Sequence, residues 1–156
     1  MAYPASLIAF AFVKKGIEEG IPVTQMKLQK IVYFAQGTHL ALHKEPLIKD
    51  IFQAWKYGPV IPSIYHAYKF YGSSPITDTD WISFEHNEND LSQLDEKARE
   101  TIEYTWSILK ETNAIKLSNW THDTGSPWQL NYIDGVSEVP IPNDDIQAYF
   151  ESFLEK

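Results

Sequence analysis

Between Thr24 and Pro46 runs a helical pattern whose apolar residues cover too much of the circumference for a surface helix. Leu28, Ile31, Val32, Ala35 and Leu42 fall at helical spacing on one face, and Tyr33, Phe34 and Leu40 widen it. A helix of that kind is central, and the rest of the chain has to be arranged around it. Thr24 stands where an N-cap belongs, while His43 and Lys44 suit the negative end, with Pro46 just beyond. At 156 residues, one such helix and its cover make a single domain with a sizeable core.

The cover is also mostly helical. Residues 4–19 form an apolar first helix from Pro4, stopped by Gly20. Ile51 to Tyr57 alternates as a short strand broken by Gly58-Pro59, and Pro62 opens a short helix through Tyr71 that Gly72 stops. Ser92 with Asp95 resembles a capping box, and Leu91, Leu94, Ala98, Ile102, Thr105 and Leu109 repeat at intervals of three and four. Ser126-Pro127-Trp128-Gln129 is a second capping-box pattern, opening a short helix to about Ile133. A last helix begins at Asn143, with Asp144 and Asp145 at its positive end and a stripe of Ile146, Tyr149, Phe150, Phe153 and Leu154. The expected fold is mainly α, one domain over residues 1–156, with at most a small β element near 51–57 and 81–85.

Composition removes several functions. The absence of Cys excludes thiolate nucleophiles, cysteine-bound zinc and iron–sulfur clusters. No stretch reaches the ~18 uninterrupted apolar residues of a membrane span. The apolar run Leu7 to Val13 precedes Lys14 and Lys15, the reverse of a secretory signal, so the expected location is the cytoplasm. A formal net charge of -8 argues against general nucleic-acid binding. That charge is uneven: eight lysines face four carboxylates through residue 72, then five basic residues face seventeen acidic ones. A solvated acidic surface explains the second half, and so does an acidic face that docks a basic partner.

No catalytic constellation stands out. His39 and His43 are four apart, the spacing of two metal ligands on one helix face. Leu-Ala-Leu lies between them and no third ligand is evident beyond Glu45, so a buried or half-buried histidine pair is the default. Thr121, His122 and Asp123 are chain neighbours and cannot line up as a relay; a cap or turn role suits them. The glycines are isolated, which leaves no phosphate-cradling loop. No cofactor, metal or catalytic residue is assigned. What stands out instead is Trp55-Lys56-Tyr57-Gly58-Pro59, two large rings and a turn in five residues, followed by Tyr65, Tyr68 and Tyr71. Stacked single-stranded bases would suit those tyrosines, but an ordinary buried helix face suits them better.

Three blocks stand out in order: Lys27 to Gly37 with His39 to Leu42, then Ala54 to Tyr65, then Thr121-His122 with Ser126-Pro127-Trp128. Together they resemble the Panacea (SocA-like) antitoxin domain family. The resemblance spans about residues 5–150. It implies a mainly helical, non-enzymatic, bacterial or prophage-encoded protein that neutralises a toxin encoded beside it, generally by direct binding. Within the family, one branch delivers its toxin to a protease as an adaptor. The toxins vary and include translation-blocking enzymes that modify tRNA. An acidic half could cover a basic toxin surface by charge complementarity. The candidate toxin-binding residues are Trp55, Lys56, Tyr57, Glu96, Glu100, Glu103, His122 and Trp128. The alternative for the shared residues is structural: Gly58 and Pro59 for a tight turn, Trp128 for the core, Thr121 and Ser126 as caps. A phage regulatory or nucleic-acid-binding protein using the lysine-rich first half is the other alternative.

Overall fold

A computed structural model describes residues 2–78, 91–136 and 138–154. Helix α1 (Ala5–Glu19) ends at Gly20, whose φ of 73° provides the left-handed cap. Helix α2 (Gln25–His43) starts where Thr24 Oγ1 accepts a hydrogen bond from the Lys27 amide at 3.2 Å. The pattern that made α2 central is borne out. It packs against α1, against α3 (Pro62–Tyr68), and against the long helices α4 (Glu96–Leu109) and α7 (Asn143–Leu154). It also meets the shorter α5 (Ala114–Thr121). Leu28, Ile31, Val32, Tyr33 and Ala35 are all fully buried. Leu42 is not: it is 54% exposed, although His39, Leu40 and Ala41 of the same turn are buried.

Two glutamines fasten loops to this helix. Gln29 Oε1 accepts from the Ile61 amide at 2.9 Å while its Nε2 donates to the Ile61 carbonyl at 3.1 Å, an edge-strand pairing made by a side chain. Gln36 Oε1 accepts from the amides of Leu47 and Ile48, and its Nε2 donates to Asn143 Oδ1 at 3.2 Å. Gly37 lies against the Phe150 ring of α7, where a Cβ would stand far inside contact distance of two ring carbons. That contact lets the two helix axes approach closely.

The β element is a hairpin, β1 (Gln53–Trp55) and β2 (Gly58–Val60), with a third strand β3 (Val139–Pro140) antiparallel to β1. Gly58-Pro59 therefore does not break the strand; it begins the returning one, with Trp55 opposite Gly58. The expected second β segment near 81–85 lies outside the described residues. Helix α3 passes into a 3-10 turn over Lys69–Tyr71 that ends at Gly72, as the glycine suggested. Asp95 itself caps α4, accepting from the Ala98 amide at 2.8 Å. Ser92 belongs to a separate 3-10 turn, Leu91–Gln93, so the box reading placed the cap three residues early. Helix α5 was not foreseen. Ser126 caps α6 (Pro127–Asn131) by accepting from the Gln129 amide at 3.2 Å. On α7, Ile146 and Phe150 are buried and Tyr149 is half-buried, but Phe153 is 54% exposed. Among the described residues no helix is long and apolar enough to cross a membrane.

Candidate functional site

The three blocks singled out in the sequence meet around Gly58. Its φ of +122° is open to glycine alone, and a Cβ there would stand 2.5 Å from Lys30 Nζ and 3.3 Å from Thr121 Oγ1 and His122 Cε1. Lys30 comes from α2, Gly58 from the hairpin, and Thr121 with His122 from the end of α5. Thr121 Oγ1 donates to the Ser118 carbonyl at 2.7 Å, and His122 Nδ1 lies 2.6 Å from that same oxygen. Ser126 Oγ donates to the Thr121 carbonyl at 2.9 Å, so the Thr-His pair is used to turn the chain from α5 into α6. Trp128 then reaches back: its Nε1 donates to the Trp55 carbonyl at 2.6 Å. Its ring lies 4.1 Å from His122 and stacks on Tyr132 at 4.6 Å. Trp128 thus ties the start of α6 to the hairpin by one carbonyl hydrogen bond while its ring packs on His122 and Tyr132.

The other side of the hairpin is open. Lys56 and Tyr57 form its tip and are exposed, Tyr57 to 70%. Beside the tip lies a cleft of about 960 Å³, at the upper end of the ~300–1,000 Å³ of small-molecule pockets. The start of α2 supplies Gln25, Met26 and Lys30 to its wall, the hairpin Trp55 and Tyr57, and the loop after α6 Val136. Met26, Tyr57 and Val136 are exposed, as are Ile115 and Ile133, chain neighbours of the lining residues Ala114, Tyr132 and Asp134.

Lys30 is the unusual member of this wall. Only 2% of the residue is exposed, and Nζ donates to the Tyr57 carbonyl at 2.9 Å. Burial pushes its pKa down from 10.5 to about 8. Desolvation disfavours the charged form here, and the charge-assisted hydrogen bond to the Tyr57 carbonyl offsets part of that cost.

Of the expected site residues, Trp55, Lys56, Tyr57, His122 and Trp128 are brought together, the first three on the cleft and the last two beneath the hairpin. Glu96, Glu100 and Glu103 are exposed on α4 and none lines the cleft. Glu103 is ion-paired with Lys15 of α1. Lys30 was missed, although a lysine inside the apolar block Leu28 to Phe34 was a visible irregularity. The loop around Asp134-Gly135 was also missed. The histidine pair is a packing feature: His39 is buried, with Nδ1 2.8 Å from Thr101 Oγ1, and its ring lies 4.7 Å from that of His43. Burial first, then His43, pushes the His39 pKa down to about 4. Among the described residues no group of three His, Cys, Asp or Glu is placed to hold a metal.

An aromatic hairpin tip beside an apolar cleft has the make-up of a surface for binding another molecule. A family match says to which class of protein the chain belongs. Residues 28–129 match the family described as antitoxin SocA-like, Panacea domain, and the chain belongs to that family. The matched span takes in Gln29, Lys30, the hairpin, Thr121, His122 and Trp128. The chain is also 30% identical over 134 residues to the antitoxin SocA of Caulobacter vibrioides (strain NA1000 / CB15N), covering 81% of this chain and 69% of that protein. No solved structure matches the chain.

Proposed function

We propose that this protein is the antitoxin of a toxin–antitoxin pair, acting in the cytoplasm and neutralising the product of a neighbouring gene by direct binding. The observation that carries the reading is the hairpin tip, Lys56 and Tyr57 exposed with half-buried Trp55 behind them, seated beside an apolar cleft in a chain of an antitoxin family. Large exposed rings next to a depression are typical anchors of protein interfaces. The candidate contacts on this side are Trp55, Lys56 and Tyr57, with His122 and Trp128 holding the hairpin from beneath. Glu96, Glu100 and Glu103 on α4 belong to the same reading as a steering surface: a basic toxin is drawn toward an acidic protein, chiefly through its association rate.

Co-expression of this chain with the adjacent reading frame is the test. Growth rescue together with co-purification of the two proteins is the expected result. Rescue with no complex formed would point instead to chemical reversal of the toxin's damage. Rescue that disappears when host proteases are deleted would make the chain an adaptor for degradation.

A further inference from the structure

The cleft beside the hairpin has a buried cation in its wall. Lys30 lines it, yet none of the ion pairs among the described residues includes Lys30. An ammonium has three N–H donors, and the Tyr57 carbonyl takes one. Asp134, the carboxylate of the cleft wall, accepts from Tyr132 Oη at 3.3 Å instead. Lys56 adds a second positive charge at the rim. The cleft is therefore locally cationic on a molecule whose formal net charge is -8.

Building on the antitoxin reading, we propose that the cleft receives a segment of the toxin whose Asp or Glu side chain, flanked by apolar residues, pairs with Lys30. Charge complementarity selects the carboxylate, since a buried ammonium gains most from an opposite charge that arrives with its own apolar cover. A volume of about 960 Å³ leaves room for the residues on either side of that carboxylate. The apolar contacts come from three separate elements, through Met26, Tyr57 and Val136, so residues on both sides of the carboxylate find a surface. A chain terminus would use only one side.

The test uses overlapping synthetic peptides from the product of the adjacent frame, the whole toxin, and the variants Lys30→Met, Lys30→Arg and Val136→Glu. Retained peptides are expected to carry Asp or Glu between apolar residues, and exchange for Asn or Gln should weaken them at least tenfold. Lys30→Met should weaken whole-toxin binding at least tenfold without lowering Tm, and Lys30→Arg should recover part of it. Val136 is exposed, so Val136→Glu keeps the fold and should repel the carboxylate where Val136→Gln does not; this pair decides the matter if Lys30→Met fails to fold. Retained peptides without a carboxylate, or Lys30→Met and Val136→Glu binding the toxin like the native chain, overturn the inference while leaving the antitoxin reading intact. No complex between native chain and toxin overturns both.

Discussion

Valine at position 58 would meet two obstacles at once, a φ of +122° that β-branched residues do not adopt and a Cβ 2.5 Å from Lys30 Nζ. Gly58→Val is expected to cost about 2 kcal/mol or more in chemical denaturation. Gly125, whose φ is +81° but whose Cβ would meet nothing within 4 Å, should cost less when changed to alanine. Lys30 and His39 make stability depend on pH in the same direction. Each is a base whose folded pKa is depressed, so the unfolded chain binds more protons between the two pKa values and stability rises with pH across that window. For Lys30 the window runs from about 8 up to 10.5, for His39 from about 4 up to 6.5. Native protein should therefore lose stability as pH falls from 6.5 toward 4, and a His39→Asn variant should lose less, as thermal melts across that range would show. Lys30→Met should flatten the alkaline rise. His39 was legible in the sequence as half of a buried or half-buried histidine pair, and the structure buries it; the role of Lys30 was not. A buried lysine and an exposed one are the same letter, and only the return of the hairpin over α2 decides which this is.

At the scale of elements, local chemistry was legible and pairing was not. Helix starts at Gln25, Pro127 and Asn143 follow from caps and prolines a few residues away. Helix α5 had a usable signal in Asn113, whose side chain accepts from the Lys116 amide at 2.8 Å, but its eight residues offer few turns of periodicity. Strand β3 has two residues and takes its identity wholly from β1, far away in the chain. The tip of the candidate site was legible because its aromatics are crowded into one turn. The cleft was not, because its walls come from separate segments. Gln29→Leu tests how much the side-chain pairing holds: it leaves both polar groups of Ile61 without their partner and is expected to cost about 2 kcal/mol, read from the denaturation midpoint. On α4, Glu96→Lys and Glu100→Lys should stay within about ±0.5 kcal/mol of native stability, since both side chains are exposed. In stopped-flow mixing with a basic toxin the same changes should slow association, most at low salt. Unaltered rates there would remove α4 from the mechanism.

The whole molecule is organised by α2, which touches nearly every other helix and reaches α7 through the glycine step at Gly37. A Gly37→Ala methyl has nowhere to go but into the Phe150 ring, so α7 must shift away, at an expected 1–3 kcal/mol by thermal or chemical unfolding. The same step has a consequence during synthesis. Helix α7 is translated after every other described element, and until it emerges Gly37, Tyr33 and Phe34 have no Phe150 to cover them. Until α7 has been made, a nascent chain therefore carries a strip of its central helix bare, open to chaperones and proteases that sample unfinished domains. Chains that break off before α7 keep that exposure permanently and should be cleared quickly. The supply of finished protein then depends on complete translation, so a stress that stalls ribosomes would lower its concentration without any dedicated regulator.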